Sequence, residues 1–364
     1  MRKQTIKYLI LILLFPVGSF AQDGQVGRVK DNSPYSRLWM GDLFDQNFST
    51  IRAMGGQSAA YHDPSQINLT NPASLGFLAA TSFEVGLYSQ YSALTDGNTN
   101  VGVTSGNLGY LSLGFITQNK LNQILDKNVQ PWAWGMNFSL SPYSDVNYGV
   151  ELNRSLADST QVGEFFSGTG GTYRFMWGNA YRYKNFSVGL NLGYIFGKID
   201  NERSLTFNSQ PSYNVITEKS TSLNGFNWNL GVQYNLVFKK ETVDGEVPTG
   251  KVLTLGAYGN SATGFDPNSS LLDFRTNNTF FNRDTITNDG DIRQEGQLPA
   301  EFGIGLMLKE TNKWKLGANF KFAQWSKYFN EGSIGNQELN DSCEIGIGGE
   351  ITPDFKSYNS YAKK

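Results

Sequence analysis

The sequence has little of what most soluble enzymes and disulfide-rich domains are built from. It holds one cysteine, Cys343, which excludes an internal disulfide framework. It holds one histidine, His62, so no His/Cys cluster exists for a zinc or copper site, and no metal or cofactor is expected. A Ser–His hydrolase would have to use that same histidine, and none is expected. Charged residues make up 17% of the chain against a usual ~25%. Thirty Lys+Arg face 32 Asp+Glu with no long basic run, which argues against nucleic acid as a partner. No Gly-x-y period is present, so the chain is not collagenous. Past the N-terminus no stretch approaches the ~18 apolar residues of a membrane helix.

What is present points to strands. The 364 residues include 40 Gly, 25 Phe, 18 Tyr and 7 Trp. Low charge combined with glycine, aromatics and abundant Asn is the texture of a transmembrane β-barrel. The first residues read as an export signal. Met1-Arg2-Lys3 and Lys7 form a positive start, Tyr8 to Val17 a short apolar run, and Ser19-Phe20-Ala21 a small-x-small cleavage site. Residues 1–21 are therefore expected to be removed and the rest exported to the outer membrane.

Residues 22–78 lack clean alternation and are rich in Gly, Asn, Ser and Pro; from residue 79 the texture changes to strands. Phe226, Trp228, Leu230, Val232, Tyr234 and Leu236 alternate with Asn227, Asn229, Gly231, Gln233 and Asn235. Trp132, Trp134, Met136, Phe138 and Leu140 likewise oppose Ala133, Gly135, Asn137 and Ser139. A soluble sandwich would carry more Lys and Glu on its polar face. Uncharged Asn, Gln and Gly instead suit a barrel interior, with the aromatic face in lipid. A sheet in hydrocarbon must close, because unpaired edge groups there cost several kcal/mol each. About eleven strands are visible by this pattern. Lys184-Asn185 and Thr311-Asn312 read as tight turns, and the polar spans Asn201–Thr221, Lys239–Gly250 and Phe265–Gln297 as longer loops. The acidic pair Asp289/Asp291 reads as solvated loop rather than a calcium site. The C-terminal end, Ser360-Tyr-Ala-Lys-Lys364, lacks a closing strand with a terminal aromatic, so about two to four further strands are expected to be missing.

The N-terminal region carries a resemblance. Arg52-Ala-Met-Gly55-Gly56, then Tyr61-His62-Asp63-Pro64 and Asn71-Pro72-Ala73-Ser74, are similar in order and spacing to the hatch of outer-membrane long-chain fatty acid and hydrophobic-compound transporters, in the form seen in Bacteroidetes. His62 beside Asp63, and Asn319 in place of an acidic residue, depart from that pattern. The resemblance implies an all-β, transmembrane antiparallel barrel of fourteen strands whose lumen is obstructed by the hatch. It implies gating positions at Arg52, Gly55, Gly56, His62, Asp63, Asn71, Pro72 and Ala73, with outer-membrane lipid as surroundings and an apolar compound such as a fatty acid as cargo. Similar barrels also serve without transport, as shuttles or as subunits of outer-membrane protein secretion or assembly complexes, so protein partners are the alternative. From the residues alone, Asn71-Pro72 is an ordinary turn signal and Gly55-Gly56 a place where backbone needs room.

Overall fold

A computed structural model describes residues 33–95, 100–118, 130–155, 161–207, 213–242, 245–277, 283–333 and 339–353, with isolated positions from 123 to 127. The expected signal segment and the C-terminal end lie outside the described residues. No helix among these is long and apolar enough to cross a membrane, which says nothing of strands.

The chain is all-β and antiparallel. After a two-residue strand β1 (Asp42–Leu43) and a short helix α1 (Ser49–Ala53) come β2 (Ser82–Thr95), β3 (Asn100–Ile116), β4 (Trp132–Ser155), β5 (Gln161–Tyr183), β6 (Phe186–Phe207) and β7 (Tyr213–Thr242). They are followed by β8 (Gly245–Asn260), β9 (Thr263–Asn277), β10 (Arg283–Arg293), β11 (Gly296–Leu298), β12 (Glu301–Glu310), β13 (Trp314–Ala323), β14 (Phe329–Asn330) and β15 (Ser342–Ile351). One path of neighbours runs β15-β13-β12-β8-β7-β6-β5-β4-β3-β2, and β9, β10, β11 and β14 extend one end of that wall. β7 is long enough to serve both parts: Tyr213–Asn224 pairs with β9, and Leu230–Thr242 with β8.

The polar spans expected as loops are largely strand. Residues 201–207, 213–221, 239–242, 245–250 and most of 265–297 belong to β6 to β11. Backbone pairing needs no apolar side chains, so a wall can run on beyond an apolar band with both faces wet, as the mostly exposed β10 does. Asp289 and Asp291 sit on that strand, and Asp291 accepts from Asn268 Nδ2 at 2.8 Å. The tight turns at Lys184-Asn185 and Thr311-Asn312 are present, with Lys184 and Asn312 in left-handed backbone.

The sheet wraps around the N-terminal segment. Ten strands at ~4.8 Å spacing would spread over roughly 43 Å if flat. Yet Phe48 stacks on Tyr110 of β3 at 3.7 Å, and six residues later the Met54 carbonyl lies where a side chain on Gly348 of β15 would go. Both ends of the sheet are thus brought to one short helix. Among the described residues β2 and β15 do not pair with each other. α1 lies inside that seam.

Alternation sorts the two faces as expected. Phe226, Trp228, Leu230, Tyr234 and Leu236 are exposed on the outside, while Gly231 and Gln233 are buried. On β4 the sorting reverses partway. Tyr143 bulges between the pairs made by Pro142 and Ser144 with β5, and this one extra residue flips which parity points inward. Before it Asn137 and Ser139 are buried; after it Val146 and Tyr148 are. The latter join Met40, Phe166, Ile195, Ile199, Leu223, Phe265 and Leu298 in an apolar core inside the wall.

Leu230→Arg places a charge on the outward band and is expected to cost ~2–4 kcal/mol near a bilayer midplane. Asn229→Arg looks milder from sequence alone. Its amide, however, donates inward to the Thr70 carbonyl at 2.5 Å, so a matching loss is expected there. Urea unfolding in liposomes measures both, and an Asn229→Arg cost near zero would contradict this packing.

Candidate functional site

The segment from Phe48 to Leu78 is shaped by short-range rules. α1 ends in a reciprocal pair of backbone bonds, Gly56 N–H to the Ile51 carbonyl at 2.9 Å and Gly55 N–H to the Arg52 carbonyl at 3.0 Å. That pattern requires a left-handed residue just past the cap. Gly55 supplies it at φ +70°, followed by Gly56 at +76°. Arg52 fastens the preceding turn by an ion pair to Asp45 at 3.4 Å and a bond from Nε to the Asn47 carbonyl at 2.8 Å. Asn71 caps a 3-10 turn, Pro72–Phe77, its Oδ1 accepting from Ala73 N–H at 3.1 Å. Pro72 stands at the first position of the turn, where its missing N–H costs nothing.

The strands hold this segment from every side. Asn71 Nδ2 donates to the Ala59 carbonyl at 2.6 Å and reaches the Val232 and Ala257 carbonyls of β7 and β8, each at 3.3 Å. Gln233 donates to the carbonyls of Ala59 and Tyr61 at 3.0 and 3.1 Å. Asn191 donates to Leu69 at 2.7 Å, Ser187 to Ala73 at 2.6 Å, and Asn319 accepts from Ala59 N–H at 3.1 Å. Glu84 of β2 accepts from Ile67 N–H at 2.6 Å. The inward Asn191, Gln233 and Asn319 therefore meet backbone of the chain's own N-terminal part.

Small residues let the backbones approach. Gly135, Ala180, Gly189 and Gly231 lie side by side across β4 to β7. Gln233, Gly256, Gly305, Asn319 and Gly346 continue the belt across β7, β8, β12, β13 and β15. A Cβ on Gly135, Gly256 or Gly346 would fall on the carbonyl oxygen of Leu75, Ala59 or Gly55 respectively.

One corner is charged. His62 is buried, stacked on Phe77 with centroids 4.1 Å apart, and its Nε2 lies 2.8 Å from Lys309 Nζ and 3.4 Å from Asn235 Nδ2. Both neighbours are donors, so Nε2 is the acceptor and Nδ1 carries the proton. Asp63 caps its own turn by accepting from Ser65 and pairs with Lys315 at 3.4 Å, which also pairs with Glu350 at 3.0 Å. Burial, then the positive charges of Lys309 and Arg182, holds the His62 pKa well below its ordinary 6.5. The unfolded chain therefore takes up a proton that the folded chain refuses. Stability is expected to fall as pH drops below about 6.5, with a slope approaching ~1.4 kcal/mol per pH unit. Thermal unfolding of wild type and His62→Gln between pH 8 and 4 checks this; superimposable pH profiles would contradict it.

Of the eight positions singled out in the sequence, Gly55 and Gly56 shape the turn after α1, and Asn71, Pro72 and Ala73 form the next turn. His62 and Asp63 form the charged corner, while Arg52 belongs to a separate one with Asp45. Sequence reasoning missed Lys309, Lys315 and Glu350. Their partners lie more than 240 residues away in the chain for Lys309 with His62 and Lys315 with Asp63, and a lysine near a strand end reads as a solvated residue.

An antiparallel barrel wall wrapped around its own N-terminal segment defines the class of protein. Within it, the chain belongs to the BamG family, whose profile matches residues 1–364. No curated protein matches. Among solved structures, the chain is similar to the toluene transporter TodX of Pseudomonas putida, at 17% identity over 86% of this chain and 82% of that one, TM-score 0.49. It is similar to the toluene transporter TbuX of Ralstonia pickettii, at 16% identity over 86% and 84%, TM-score 0.47. A TodX variant described as a deltaS2S3 mutant monoaromatic hydrocarbon channel aligns over 87% and 81% at 16% identity, TM-score 0.50. At such identity the likeness concerns the fold.

Proposed function

We propose that this chain is an outer-membrane barrel whose bore is occupied by residues 34–78 acting as a fixed plug, and that it works as a non-conducting subunit of an outer-membrane protein secretion or assembly complex. The observation that carries this reading is the fastening of the N-terminal segment to strands all round the wall by buried amides and hydroxyls. The apolar core further along the bore supports it as well. The cavity between segment and wall at Arg174, Asn227, Asn229 and Tyr258 measures about 100 Å³, and its lining is mixed polar and aromatic. Ligand pockets for apolar compounds are usually ~300–1,000 Å³ and mainly apolar. The exposed aromatics of β4 to β7 supply the outward surface such a subunit offers to lipid and to a neighbouring membrane protein.

A second reading is uptake of hydrophobic small molecules, fatty acids in the narrowest form. The barrel fold shared with a monoaromatic hydrocarbon channel favours it, and Arg52, Gly55, Gly56, His62, Asp63 and Asn71-Pro72-Ala73 would then be gate elements that shift during passage. Purification of the full chain from native membranes in mild detergent separates the readings. A stoichiometric protein partner, with no saturable binding of labelled toluene or fatty acid, is expected. Saturable binding of either compound by an isolated, partner-free barrel would establish the uptake reading instead.

A further inference from the structure

A cavity of about 280 Å³ opens beside the β12–β13 turn, lined by His62, Asp63, Lys309, Glu310, Lys313, Trp314, Lys315 and Glu350. Its charges are unevenly paired. Glu310 is taken by Lys313, and Asp63 and Glu350 are both taken by Lys315. Lys309 stands directly opposite Lys315 across the two strands, a like-charge arrangement that is unfavourable without compensation. Its ammonium bonds to the neutral imidazole of His62, and among the described residues no carboxylate lies within ion-pair distance of it. Lys251 of β8 pairs in register with Glu310 and adds a further positive charge at this end of the wall. Asp63 acts on it only from beyond ion-pair distance, and a partly buried ammonium with no anion in contact carries a desolvation cost that a bound anion would offset.

We propose that this cavity is a binding site for a phosphate oxyanion, with Lys309 as its principal contact. Lysine acts on phosphate as a point charge with three donors, and Nζ has hydrogens left after its bond to His62. The turn end of a barrel wall lies at the membrane–water boundary, so the phosphate comes either from a phospholipid headgroup or from free phosphate in solution. His62 and Asp63 belong to the N-terminal segment, so the site rests on that segment being seated against β12 and β13 as the first reading has it.

The test uses the full chain in detergent, stripped of lipid by exchange. Equilibrium dialysis against labelled inorganic phosphate and native mass spectrometry after addition of phosphatidylglycerol are run on wild type, Lys309→Gln and Lys309→Arg. Saturable binding of about one phosphate group per chain is expected, weakened about tenfold or more by Lys309→Gln and largely kept by Lys309→Arg. Tighter binding of phosphatidylglycerol than of inorganic phosphate, weakened by Lys309→Gln, identifies a lipid headgroup; tighter binding of inorganic phosphate identifies free phosphate. Failure of both probes to bind wild type saturably would overturn the proposal, as would equal binding by a folded Lys309→Gln.

Discussion

Asn71→Leu is expected to destabilise the protein by ~2–4 kcal/mol. The side chain is fully buried and does several things at once. Its Oδ1 caps the turn at Ala73, and caps are worth ~1 kcal/mol. Its Nδ2 serves the carbonyls of Ala59, Val232 and Ala257, drawing the N-terminal segment, β7 and β8 together. A buried polar partner left without its bond costs ~1–3 kcal/mol. The Val232 and Ala257 carbonyls also take part in strand pairing, and the Ala59 carbonyl keeps its bond from Gln233, so the loss comes from three weakened contacts together rather than from one orphaned carbonyl. Asn71→Asp separates the parts: it keeps the cap acceptor but sets a carboxylate against three carbonyl oxygens, so its loss should match or exceed that of leucine. Equilibrium unfolding in liposomes measures both. A cost under ~1 kcal/mol for Asn71→Leu would show that the amide bonds carry little.

Gly256→Val is expected to cost at least ~3 kcal/mol, although valine is the better strand former. A Cβ there falls on the Ala59 carbonyl and against the Ala60 backbone, and neither can swing aside as a side-chain tip would. Overpacking costs typically ~1–3 kcal/mol when side chains can adjust, and here the obstacle is backbone. Gly290 provides the contrast, since a Cβ there meets nothing within 4 Å. Gly290→Val should be neutral or slightly stabilising. Equal losses at the two positions would show that glycine serves strand flexibility rather than close approach to the N-terminal segment.

The outward and inward faces were legible because period-two alternation is local. Phe226 to Leu236 could be sorted without knowing what lay on either side. Glycine's role was legible only in kind: Gly55-Gly56 read as a place where backbone needs room, while the belt from Gly135 to Gly346 depends on strand register, which alternation does not determine. The loops were misjudged because polar residues such as those of β10 say that a span is wet, not that it is unpaired. The bulge at Tyr143 leaves no mark in the local pattern, although it decides that Val146 and Tyr148 point inward. Most hidden was the destination of the inward amides. Asn191, Asn229 and Gln233 read as lining a wet lumen, whereas they bond to backbone 122 to 174 residues earlier in the chain.

Single-channel recording in planar bilayers tests the occupied bore most directly, with the full chain compared against a deletion of residues 49–61. The intact protein should be electrically silent, and the deletion, which removes α1, the Gly55-Gly56 turn and the Ala59 backbone anchored by Gln233 and Asn71, should show frequent openings. A steady open conductance of the same size from both would contradict the account.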